Sequence, residues 1–165
     1  MQQEQRVLIV DDEEDARVSL KRVIERAGYC CTAVESGEEA LAVLKDWPAH
    51  IVISDHDMPG MNGVELLSAI STRSPGVVRI LLTGRADFET SMSAINTAHV
   101  YRYLNKPCRS SELLTVLHFA WESIEMEQEN RRLRALARQQ QALLAELQRR
   151  VPEVMKNVLS SVQAQ

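Results

Sequence analysis

Five short apolar runs, each followed by a stretch with helical spacing, constrain this chain more than any other feature. The runs occupy residues 7–10, 29–34, 51–53, 77–82 and 100–104. Each is rich in β-branched residues and bounded by charged or turn residues, which reads as strand. Between them, Ala16, Leu20, Val23, Ile24 and Ala27 share one helical face, and Gly28 stands at the stop position. Ser36 and Glu39 have the spacing of a capping box ahead of Ala40, Leu41 and Leu44, and Pro48 closes that helix. Val64, Leu67 and Ile70 mark a third helix, Met92 and Ile95 a fourth, and Leu113, Leu114, Leu117, Trp121 and Ile124 a fifth.

Strands without strict polar alternation, separated by helices, are the pattern of a parallel sheet buried on both faces. The expected fold class is therefore α/β: a doubly wound five-stranded parallel sheet of flavodoxin-like order 2-1-3-4-5. At 165 residues, 45% hydrophobic and 25% charged, the chain has the composition of a globular domain with a little to spare. Its formal net charge of −4 offers no electrostatic footprint for nucleic acid or an anionic membrane. Cys30, Cys31 and Cys108 lack metal-ligand or paired spacing and suit reduced thiols. Neither a signal peptide nor a run of about 20 apolar residues is visible. The expectation is a cytoplasmic chain with no direct nucleic-acid or membrane partner.

The excess length falls after residue 124. Good helix formers continue there, with no Gly or Pro between Pro107 and Pro152. A heptad places Met126, Leu133, Gln140 and Leu147 at a and Glu129, Leu136, Leu143 and Arg150 at d, an imperfect coiled-coil seam suited to a homodimer. Pro152 is expected to break this helix or to open another. The expected division is 1–124 for the α/β domain, 125–151 for the helical extension and 152–165 for a tail of unassigned role.

In an open parallel sheet, ligands bind outside the carboxyl ends of the strands where the strand order reverses, here between the first and third. Those ends carry Asp11 and Asp12, Asp55, Thr83, and Asn105-Lys106-Pro107. Each has a dull explanation alone, as a helix-terminal acid, a cap or a surface lysine. Together at four strand exits they make a site. Asp11, Asp12 and Asp55 would repel one another unless a cation sat among them, and oxygen-only ligands favour Mg²⁺. A cation, the Lys106 ammonium and the Thr83 hydroxyl could receive a phosphoryl group, with Asp55 as nucleophile. The histidines at 50, 56, 99 and 118 fit neither a serine triad nor a zinc site, and Gly60-Met61-Asn62-Gly63 lacks the lysine of a phosphate loop.

The strings VDDEED at 10–15, ISDHDMPGMNG at 53–63, LLTGRAD at 81–87 and YLNKP at 103–107 resemble a two-component response-regulator receiver domain of the CheY-like kind over about residues 5–124. The resemblance implies Asp55 as phosphoacceptor, with Thr83 and Lys106 contacting the phosphoryl group. It implies Mg²⁺ held by Asp11, Asp12, Asp55 and the backbone carbonyl of Asp57, a cis Lys106–Pro107 bond, and Tyr103 as an aromatic switch. The implied donor is a sensor histidine kinase or a histidine phosphotransfer protein. Asp57 and Arg85 flank the site at positions that influence phosphoryl lifetime in such domains. HVYRYLNKPC is similar to receivers that precede HD-GYP phosphodiesterase domains or belong to hydrogenase-type regulators, so the expected output lies in a further domain or in the helix itself. The Asp55-x-Asp57 pair also admits a haloacid-dehalogenase-like phosphatase, which would need a DxDGT-like continuation and a cap. A degenerate receiver used only for docking is the remaining alternative.

Overall fold

The computed structural model describes residues 4–84 and 99–163. The chain divides into two compact units, Met1–Ile124 and Glu125–Gln165.

In the first unit, β1 (Arg6–Val10), β2 (Cys30–Val34), β3 (Ile51–Asp55), β4 (Val78–Thr83) and β5 (Arg102–Asn105) form one all-parallel sheet in the order β2-β1-β3-β4-β5. That is the expected fold class and strand order. Among the described residues of the chain, the helices are α1 (Glu14–Arg26), α2 (Gly37–Asp46), α3 (Gly63–Arg73) and α4 (Ser110–Gln163). Met92 and Ile95, read as a further helix, and Arg85 lie outside the described residues.

Strand residues point alternately to the two faces, and each face closes a separate core. Val7, Ile9, Ile51, Ile53, Ile80 and Leu82 meet Ile24 of α1 and Leu113, Leu117 and Trp121 of α4. Leu8, Val10, Val52 and Leu81 meet Ala40 of α2 and Leu66, Leu67 and Ile70 of α3. This two-sided burial is why β1, β3 and β4 read as near-continuous apolar runs. Helix ends follow local chemistry. Gly28 takes φ +93° after α1, a left-handed conformation that costs glycine little. The Ser36 hydroxyl accepts from the Glu39 amide at 3.2 Å, while the Glu39 carboxylate takes the Glu35 amide. A reciprocal capping box forms instead at Asn62 and Glu65, opening α3.

The second unit is the continuation of α4, and helix passes through Pro152 to Gln163. The break expected at Pro152 is therefore corrected. Proline removes one hydrogen bond, to the Gln148 carbonyl, at a cost of about 3 kcal/mol, and the helix formers on both sides carry the helix across. Met126, Leu133, Leu136, Leu143 and Leu147 are all at least half exposed along it. Surface pairs such as Glu127–Arg131 (3.1 Å) and Glu146–Arg150 (3.8 Å) lie one turn apart. Among the described residues no helix is long and apolar enough to cross a membrane.

Candidate functional site

Asp11 follows β1 directly, Asp55 ends β3, Thr83 ends β4, and Lys106 follows β5. Parallel register brings these exits to one edge, with Asp55 opposite Leu82 and Thr83 opposite Asn105. Because β1 and β3 are neighbours whose chains depart to opposite sides, the crevice between them opens at this edge.

Asp11 is fully buried, and its polar atoms are held from several directions. Its amide donates to the Val34 carbonyl at 3.2 Å, and its Oδ1 accepts from the Glu13 amide at 2.9 Å. Its Oδ2 lies 3.3 Å from the Lys106 Nζ, and its carbonyl oxygen accepts from the Arg17 Nη1 at 2.6 Å. Asp12 is exposed. Carboxylate oxygens of Asp11, Asp12 and Asp55 all lie within 4.8 Å of one another, the grouping expected of a cation pocket.

Asp55 is 4% exposed, and its Oδ1 stands 2.7 Å from the Lys106 Nζ. Burial pushes its carboxyl above the usual carboxylate range; Lys106 pulls it back in part, and Asp11 adds to the rise. Burial works against the charge on Lys106, but the hydrogen bonds and charges of Asp55 and Asp11 outweigh it and hold the ammonium above its ordinary value. The lysine backbone is tied to the same edge, its amide donating to the Thr83 carbonyl at 2.9 Å. The Lys106–Pro107 bond is cis, as the resemblance implied. Thr83 is buried, and its hydroxyl donates to the Gly84 carbonyl at 3.2 Å. Tyr103, on β5 beside Leu81, is exposed. The Asp57 carboxylate stays outside the acidic trio; it is exposed and lies 3.9 Å from the His56 Nε2.

Residue-by-residue reading of the sequence missed two contributors. A Cβ built on Gly63 would fall on the carbonyl oxygen of Asp55, so glycine is what lets α3 start against the end of β3. The Gly63 amide donates to the His56 carbonyl at 3.0 Å, closing the 56–63 loop. Arg17 carried no signal beyond helical position. Chemically, three converging oxygens suit a hard cation, and an ammonium held against the Asp55 carboxylate suits an anionic group arriving next to it.

The family model of the response regulator receiver domain matches residues 7–118. The chain is 34% identical over 127 residues to the hydrogenase transcriptional regulatory protein HoxA of Cupriavidus necator, covering 77% of this chain and 26% of that protein. It is 33% identical over 127 residues to the DNA-binding transcriptional regulator NtrC of Salmonella typhimurium, covering 77% of this chain and 27% of that one. The chain thus spans about a quarter of the length of these relatives. Among solved structures, the signal receiver domain of an HD domain-containing protein from Pseudomonas fluorescens superposes with a TM-score of 0.71 at 33% identity, covering 75% of this chain and 99% of that one.

Proposed function

This chain belongs to the response regulator receiver family, and on that premise we propose that Asp55 takes up a phosphoryl group from a phosphohistidine. The observation that carries the proposal is the convergence of Asp55, Lys106, Asp11 and Asp12 at one strand edge. A carboxylate oxygen of Asp55 attacks phosphorus, a P–O bond forms, and the P–N bond breaks with its electron pair going to the imidazole nitrogen. The product is an acyl phosphate on Asp55. Asp11, Asp12, Asp55 and the carbonyl of Asp57 would hold Mg²⁺, which neutralises charge on the carboxylates and phosphoryl oxygens. The Lys106 ammonium moves its attention from the Asp55 carboxylate to a phosphoryl oxygen, and the Thr83 hydroxyl exchanges the Gly84 carbonyl for another. The exposed Tyr103 then turns inward as Thr83 shifts, altering the surface around β5.

The donor we assign is a cytoplasmic sensor histidine kinase or a histidine phosphotransfer protein. We place the response in residues 125–151, whose exposed apolar seam pairs with a second copy and passes the signal to the output. The phosphatase reading is not favoured beside the family match, and the complete acidic, threonine and lysine set speaks against a docking-only receiver. Uptake of phosphoryl by the wild type, and none by Asp55→Asn, is the test.

A further inference from the structure

We infer that Arg17 is a positioning residue that aims the cation-holding end of the pocket through the Asp11–Asp12 peptide; this rests on reading Asp11, Asp12 and Asp55 as a Mg²⁺ pocket. Asp12 is the exposed member of the trio, and its direction depends on how the chain leaves Asp11. Asp11 itself is fixed by the Val34 carbonyl, the Glu13 amide and Lys106. The peptide that joins it to Asp12 is planar, so the direction of the Asp11 carbonyl also sets the direction in which Asp12 departs. The Arg17 Nη1 donates to that carbonyl oxygen at 2.6 Å, a short charge-assisted bond. Arg17 is half-buried in the first turns of α1, its own amide on the Glu13 carbonyl at 3.0 Å. The guanidinium thus ties helix and acidic turn into one unit.

Anchoring α1 does not need Arg17. Ile24 is buried in the core, with Leu20 and Val23 packed against it. What Arg17 supplies is the orientation of one peptide plane, through a planar guanidinium with fixed donor geometry.

Two physical effects of this side chain have opposite signs. As a positive charge on the backbone carbonyl of a ligand-bearing residue, it opposes a second cation, so its removal would tighten Mg²⁺ binding. As a clamp on the ligand-bearing turn, its removal would weaken binding, and partners of metal ligands typically matter by about 10–100-fold. The short bond to a carbonyl, rather than to a carboxylate, is what points to the clamp.

The test is a Mg²⁺ titration of the full chain by amide NMR shifts, for wild type, Arg17→Ala and Arg17→Lys. Arg17→Met keeps the apolar stem and replaces Arg17→Ala if that variant misfolds. We expect Arg17→Ala to bind about tenfold more weakly, with unchanged amide shifts in β2 and α2, and Arg17→Lys to recover part of the loss. Equal or tighter binding by Arg17→Ala overturns the inference while leaving the pocket intact. A wild type that binds no Mg²⁺ overturns the pocket and the inference with it.

Discussion

The Nζ of Lys106 lies 2.7 Å from the Oδ1 of Asp55, across two strand exits of the same sheet. Asp11 shares that ammonium at 3.3 Å, so one cation offsets two buried carboxylates. The lysine reaches them because its amide is pinned to the Thr83 carbonyl on the neighbouring strand. We take this contact to be the resting form of the one Lys106 would make to a phosphoryl group on Asp55.

Replacing Lys106 with Met leaves Asp11 and Asp55 facing each other without that ammonium. Folding stability without metal should fall by on the order of 1–3 kcal/mol, the cost of stranding a buried polar group. Mg²⁺ should bind more tightly, because a direct competitor for the carboxylate oxygens has gone, while phosphoryl uptake slows. Denaturant melts in chelator, together with a Mg²⁺ titration, read both effects. Weaker Mg²⁺ binding would mean that Lys106 orders the pocket rather than competing within it.

Asp55 links the pocket to pH. Its carboxyl is raised chiefly by burial, so its ionised form is less favourable in the folded state than in the unfolded one. Its contribution to stability is present below the unfolded pKa and is lost as pH rises through the folded value. Asp55→Asn should therefore be more stable than wild type near neutral pH in chelator, and the gap should close on acidification through the carboxylate range. A gap that widens on acidification would show that Lys106 dominates the titration.

Gly63 sits where a methyl group would strike the backbone of Asp55. Gly63→Ala should cost about 1–3 kcal/mol by overpacking, since the obstacle is main chain and cannot swing aside. It should also slow phosphoryl uptake, because relief comes by moving either α3 or the end of β3. Chemical denaturation and a phosphorylation time course on the same preparation test this, and unchanged uptake would remove Gly63 from the site.

Much of this architecture is legible in the residues themselves. Two-sided burial makes β1, β3 and β4 near-continuous apolar runs whose exits name Asp11, Asp55 and Thr83 directly, and the shorter run of β5 leads into Lys106. Contacts that depend on how elements meet are not legible. Gly63 looks like any turn glycine until α3 is set against β3. Arg17 looks like a solvated helix residue until its guanidinium is seen to reach back to Asp11. Pro152 misleads because local propensity treats proline as a stop, whereas the strong helix formers around it outweigh one lost hydrogen bond.

The seam of the second unit gives a separate prediction. Leu136 and Leu143 are at least half exposed in a single chain, an arrangement suited to burial against a second copy. Wild type should scatter light as a dimer, and Leu136→Lys with Leu143→Lys should scatter as a monomer with its receiver still folded. An unchanged mass would show that the seam does not hold the copies together.

The most direct test of the central claim is the intact mass of wild type and Asp55→Asn after incubation with a small phosphoryl donor in Mg²⁺ and, separately, in chelator. The account predicts one hydroxylamine-labile phosphoryl group on the wild type in Mg²⁺, and none on Asp55→Asn or in chelator. Equal uptake by Asp55→Asn, or none by the wild type in Mg²⁺, would contradict it.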